Sequence, residues 1–138
     1  MKKLAKQSGF TLIEILVSIV IVCFGLLGVA GLLTAGLKST QESQYRTQAS
    51  FLAYDIAERM RTNRQVALNG EYKTSETATN TIALKDKTDW QTTVAALPSG
   101  VGTVVMPSAT FFTITIQWDD SKVAGGSTTQ QFVFKGEL

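Results

Sequence analysis

The sequence predicts an α+β fold, one long N-terminal helix packed on a small antiparallel sheet, and three observations carry that prediction. Phe10 to Leu37 is an apolar run holding one charge, Glu14. Beyond it Ala49, Leu52, Ala53, Ile56 and Met60 recur at three- and four-residue spacing, the stripe of an amphipathic helix. Phe112, Ile114, Ile116 and Trp118 then alternate with Thr113, Thr115 and Gln117, the two-residue period of a half-buried strand. With 138 residues and 44% hydrophobic content, the chain can build one small core plus a membrane segment.

The apolar run is long enough as a helix, at about 1.5 Å per residue, to cross a hydrocarbon layer of roughly 30 Å. Lys2, Lys3 and Lys6 precede it, whereas the charges that follow, Lys38, Glu42 and Arg46, are mixed. The positive-inside rule therefore places the N-terminus in the cytoplasm and the C-terminal part on the far side of the membrane. Thirteen basic residues face eleven acidic ones. Without the three lysines before Gly9 the balance is −1, so the basic excess belongs to the first residues and does not argue for nucleic-acid binding.

Glu14 is the informative residue of the run. A carboxylate in hydrocarbon costs on the order of 3 kcal/mol near the centre, and the run contains no cation to pair with it. Cleavage between Gly9 and Phe10 would create a positively charged amine on Phe10, and that amine of one chain can meet Glu14 of the next, turning a cost into a register lock. The Lys-rich start, Gly9, Phe10, then Thr11-Leu12-Ile13-Glu14 and the unbroken apolar run resemble the class III signal of type IV prepilins and type II secretion pseudopilins. The resemblance implies that a prepilin peptidase cuts after Gly9 and methylates Phe10, and that Glu14 aids recruitment into a filament. It divides the chain into a leader, 1–9, a transmembrane or filament-core helix, 10–37, and a pilin-like globular domain, 38–138, that includes the amphipathic half of the helix.

Two other readings of the N-terminus compete. A secretory signal would cut after Ala30, with Gly28 and Ala30 as its small residues, but leaves Glu14 unexplained. A lipoprotein signal would end at Cys23, which follows Val22 rather than a small residue. Cys23 is thus read as an apolar side chain of the helix. Gly25, Gly28 and Gly31, followed by Gly36, each weaken a helix by up to about 1 kcal/mol relative to Ala. They serve either close helix packing or, as the resemblance implies, a softening that lets Cys23 to Leu32 extend on leaving the membrane.

The amphipathic half is expected to run on from the apolar half and to end near Arg64 to Leu68, before Asn69-Gly70, with Arg59, Arg61 and Arg64 where positive charge favours a helix C-terminus. These arginines are either a solvated end or contacts to another pilin. Ala57 to Asn63, Ala-Glu-Arg-Met-Arg-Thr-Asn, resembles the segment that follows the membrane helix in PilV-type minor pilins. Trp90, Leu97-Pro98-Ser99-Gly100 and Trp118-Asp119 are similar to later features of those proteins.

Glu71 to Asn80 is polar, Thr-rich and without apolar period, and reads as a surface loop, with Ile82 to Leu84 a short edge strand. Asp89 is expected to cap a brief helix carrying Trp90, Val94 and Leu97 on one face, stopped by Pro98 and Gly100. Gly102 to Met106, Phe111 to Trp118 and Gln131 to Lys135 are the expected strands, with a hairpin loop at Val123 to Thr128.

The chain has no His and one Cys, so no nucleophile, base and orienter set can be assembled, and no Gly-rich phosphate loop follows a strand. Asp119-Asp120 reads as a turn at a strand end rather than a calcium site. The sequence implies no catalytic residue, metal or cofactor. Its expected role is that of a minor pilin that primes or supports type IV pilus assembly. The implied partners are prepilin peptidase, other minor pilins, the major pilin, the inner membrane and its pilus assembly platform, with no nucleic acid. A minor pseudopilin of a type II secretion system shares the leader and fold, and a surface-binding module using the loops at Glu71 to Asn80 or Val123 to Thr128 is the reading of another class.

Overall fold

A computed structural model describes residues 9–121 and 126–138. Residues 1–8 of the expected leader, 1–9, and part of the expected hairpin loop at Val123 to Thr128 lie outside the described residues. The elements run α1 (Leu12–Thr62), α2 (Arg64–Leu68), α3 (Thr81–Val94), β1 (Val101–Val105), β2 (Phe111–Trp118) and β3 (Gln130–Glu137). The chain divides into two compact units, Met1–Leu37 and Lys38–Leu138.

In the first unit, every residue from Gly9 to Leu37 is exposed. This half of α1 is long and apolar enough to cross a membrane. So large an exposed apolar surface is of the kind that lipid or partner proteins cover.

In the second unit the sequence of α1 changes from apolar all round to apolar on one stripe. Ala49, Leu52, Ala53, Ile56, Ala57 and Met60 are buried, and the larger three contribute roughly 1.5 to 3 kcal/mol each on leaving water. The stripe meets the inner face of a three-stranded antiparallel sheet of order β1-β2-β3. Phe112, Ile114, Ile116 and Trp118 supply the centre of that face from β2, and Val104 supplies it from β1. Register places Val104 opposite Ile114, and Ile114 opposite Phe134, so this central row carries one apolar residue per strand toward α1.

Two expectations are corrected. Ile82 to Leu84 is not a strand but the first turn of α3, and the N-cap is Asn80 rather than Asp89. The Asn80 side chain accepts from the backbone N–H groups of Ile82 (3.0 Å) and Ala83 (3.2 Å), which starts the helix early. Ala83, Trp90 and Val94 then fall on its buried face, and Asp89 sits mid-helix, paired with Lys85. The long helix also ends sooner than expected: α1 stops at Thr62, and Asn63 separates it from the single turn of α2. Asn69-Gly70 makes the expected turn, with Gly70 at φ 82°, a conformation open to glycine without strain.

Trp90 fixes the distance between α3 and the other layers. Its indole Nε1 donates to the carbonyl of Leu52 in α1 at 2.9 Å, and its ring lies over Gly102 of β1, where an added Cβ would come within 2.5 Å of Cη2. Gly102→Ala is therefore expected to destabilise the head by about 1 to 3 kcal/mol through overpacking. Thermal melting of the full chain in detergent, followed by the near-ultraviolet dichroism of tryptophan, checks it.

Candidate functional site

The N-terminal site is built from the start of α1. Gly9, Phe10 and Thr11 precede the helix, and the Thr11 carbonyl accepts from the N–H groups of Glu14 (3.1 Å) and Ile15 (3.3 Å), forming the first turn. Phe10 is 80% exposed. Glu14 stands in that first turn, where its negative charge complements the helix dipole. Among the described residues no cation pairs with its carboxylate. An exposed Gly9-Phe10 bond ahead of the helix and, one turn later, an acid with no cation partner among the described residues thus occupy the same end of one apolar helix. Gly25, Gly28, Gly31 and Gly36 lie farther along it, and a Cβ at any of them would meet nothing within 4 Å. This is the geometry of an exposed helix face, whether in lipid or among partner helices.

The second group of functional interest sits where α1 ends. Arg59 donates through one guanidinium nitrogen to Asp86 of α3 (3.1 Å) and through Nε to Asp55 (3.0 Å). Tyr72 is fully buried, and its hydroxyl donates to the other oxygen of Asp86 at 2.6 Å. Asn63 donates to the Tyr72 oxygen at 3.1 Å and to Asp86 at 3.4 Å. Burial alone would lower the Arg59 guanidinium, but the hydrogen bond to Asp86 and the charge of Asp55 override it and hold the group above its ordinary value. Burial pushes the Tyr72 phenol up to about 12, with the hydrogen bond to Asp86 adding to the shift. Three of the four members of this latch, Asn63, Tyr72 and Asp86, lie outside α1, and Tyr72 lies in the segment whose sequence shows only a polar loop. The signal that could have found it is the lone aromatic in that polar stretch.

The same loop is closed by two further side chains. Lys87 of α3 donates to the carbonyls of Lys73 and Glu76 at 2.6 Å each and of Glu71 at 3.3 Å. The Glu71 carboxylate accepts from the Thr79 hydroxyl and from the N–H groups of Thr79 and Asn80, and the Thr79 hydroxyl leads the causes that hold this carboxyl below its usual range.

Of the three arginines singled out in the sequence, Arg59 is thus engaged within the head. Arg61 pairs with Glu58, donates to the Glu137 carbonyl (3.4 Å) and lies 5.7 Å over the Phe112 ring, a cation–π distance. Arg64 is exposed, with no partner among the described residues. Asp119 behaves as a turn residue, its Oδ1 accepting from Ser121 N at 2.8 Å. Asp120 does not: it is buried, and among the described residues neither carboxylate oxygen has a hydrogen-bond partner. Burial first, then the charges of Glu42 and Asp119, push its carboxyl up. Among the described residues no three His, Cys, Asp or Glu side chains gather as a metal site.

An exposed apolar helix with an acid in its first turn, carrying a small α+β head, defines a membrane-anchored assembly subunit. Residues 4–30 match the family model for the prokaryotic N-terminal methylation motif, and residues 31–97 match the model for type IV pilin Tt1218. The two matches abut, and the chain is a type IV pilin. No curated protein and no solved structure matches it at a significant level. The boundary at residue 97 leaves the three strands beyond the matched part.

Two predictions follow from the latch. Asp86→Ala leaves the Tyr72 hydroxyl and Arg59 without their acceptor and should cost about 2 kcal/mol, the lower range for a broken charged network because Arg59 is a third exposed. Detergent-solubilised full chain compared by thermal melting measures it. Because the Tyr72 phenol is raised, its contribution is complete below its ordinary value near 10 and is lost as pH climbs through about 12. The stability gap between wild type and Tyr72→Phe is expected to stay constant to about pH 10 and to close toward pH 12.

Proposed function

We propose that this pilin is a minor pilin that primes or supports assembly of a type IV pilus within a complex of minor pilins. The observation that carries the reading is the pairing, at one end of an exposed apolar helix, of an accessible Gly9-Phe10 bond with an acid that has no cation within reach among the described residues. In this reading prepilin peptidase cuts after Gly9 and methylates Phe10. The chain waits in the inner membrane with its N-terminus in the cytoplasm and its head outside. It enters the filament when the amine of Phe10 in one subunit meets Glu14 of another. Burial of two opposite charges together in an apolar core rewards only one register, so the pair selects axial position as well as affinity.

The minor-pilin part rests on the head. Ala57 to Asn63, the segment similar to PilV-type minor pilins, is the segment that grips Asp86 through Arg59 and Asn63 and buries Met60. Trp90 and Leu97 are likewise core residues. The resemblance is therefore one of head architecture and supports placing the chain among proteins that share that head. The major pilin, the other minor pilins and the inner-membrane assembly platform are its partners in this account.

Intact mass and N-terminal sequencing of the protein from membranes and from sheared surface filaments test the reading. A chain beginning at N-methylated Phe10 in both fractions is expected. A chain beginning near Gly31, or acylated at Cys23, sinks it. Glu14→Ala makes the helix more apolar and should insert normally, while recovery from filaments drops at least about tenfold, the equivalent of about 1.4 kcal/mol of lost pairing. Deletion separates the pilus from a secretion pseudopilus: loss of surface pili with protein secretion intact is expected.

A further inference from the structure

The two edges of the sheet are treated differently. On the β1 edge, Thr74 donates its N–H to the Val104 carbonyl (3.0 Å) and accepts from Val104 N (2.7 Å), and Gln91 donates to the Gly102 carbonyl (2.9 Å). That edge is closed by the loop and by α3. On the other side, β3 is an eight-residue strand, Gln130–Glu137, and among the described residues β2 is its one neighbouring strand.

Hydrogen-bonding direction alternates along an antiparallel strand, and its phase in β3 is set by two observations. Leu138 N donates toward β2, to Thr110 O at 2.9 Å. The Glu137 carbonyl points the opposite way, to Arg61. The N–H and C=O groups of Gln131, Val133 and Lys135 share the direction of Glu137 and face the free edge, and no described residue bonds them. An open run of this length without proline or bulge is a template for another strand. The inner side of the edge is aromatic. Phe132 and Phe134 are partly exposed, Tyr54 stacks on Phe134 with ring centroids 4.7 Å apart and remains 50% exposed, and Phe51, one turn earlier in α1, is 69% exposed. On the outer side Lys135 is exposed and has no ion-pair partner among the described residues.

We infer that the free edge of β3 is the docking site for an extended segment from the head of a different pilin subunit, which adds a fourth strand to the sheet. The inference rests on the assembly reading above. The arriving strand would bond Gln131, Val133 and Lys135, present apolar side chains to Phe132, Phe134 and Tyr54, and place an acidic residue against Lys135. A second copy of this chain does not fit the site. Isologous pairing of two β3 edges needs a two-fold axis normal to the sheet, which reverses α1 in the second copy, whereas helices threaded from one side of a membrane all point the same way.

The phase of β3 supplies a selective variant. Val133→Pro removes an N–H that faces the edge and leaves the ladder to β2 intact, a position where proline is tolerated. Lys135→Glu reverses the basic charge on the edge, which is exposed and lies two positions from Glu137. A photo-crosslinking amino acid at Gln131 in the full chain, produced in its own bacterium, should yield an adduct with another protein that bears an N-terminal methylation motif. Val133→Pro should cut that adduct about tenfold, and Lys135→Glu should also weaken it, while near-ultraviolet dichroism of each purified variant stays that of wild type. No adduct, an adduct with a second copy, an adduct with a protein lacking the motif, or adducts unaffected by both variants overturns the inference. Adducts are scored in the membrane fraction, so a chain that never reaches a surface filament still reports on β3. Absence of the wild-type chain from filaments overturns the assembly reading instead.

Discussion

The carboxylate of Asp86 accepts hydrogen bonds from Arg59 and Asn63 at the end of α1 and from Tyr72 in the following loop, and α3 carries it. Three segments of the head are thereby tied at one point. A small head cannot rely on area alone, since a domain of this size buries a modest fraction of its surface. A satisfied polar cluster at the rim gives the packing a unique register, and with α1 and α3 fixed, Trp90 reaches Leu52 on one side and Gly102 on the other. The sheet is positioned through that indole.

The two halves of α1 meet opposite demands within one helix. Up to Leu37 every side chain is exposed, so the helix is complete only in lipid or among other helices. From Ala49 the same helix is a core element of a folded head. The proposed cleavage, methylation and charge pairing concern the first half, while the segment resembling PilV-type pilins belongs to the second.

Periodicity made most of this legible. The stripe from Ala49 to Met60 and the alternation from Phe112 to Trp118 are strong because one face of each is buried against a single partner layer. The start of α3 was hidden because Ile82 and Leu84 are exposed, so the apolar residues nearest the helix start do not mark its buried face. Asn80 was the available clue, a capping residue followed by good helix formers. The roles of Tyr72, Asp86 and Lys87 were illegible for another reason: each acts on a group distant in sequence, and spacing carries no record of such pairings. Asp120 was misread because a turn residue and a buried carboxylate at a strand end share one letter, and only the packing distinguishes them.

The grip of Lys87 on the loop from Glu71 to Asn80 has a consequence for how this surface can change over generations. Lys87 holds carbonyl oxygens, which every amino acid supplies, and Glu71 fastens the other end partly through backbone N–H groups. The path of the loop is therefore written into positions that flank it rather than into the letters at its tip. Ser75 and Thr77, both exposed, are free to change while the loop keeps its course.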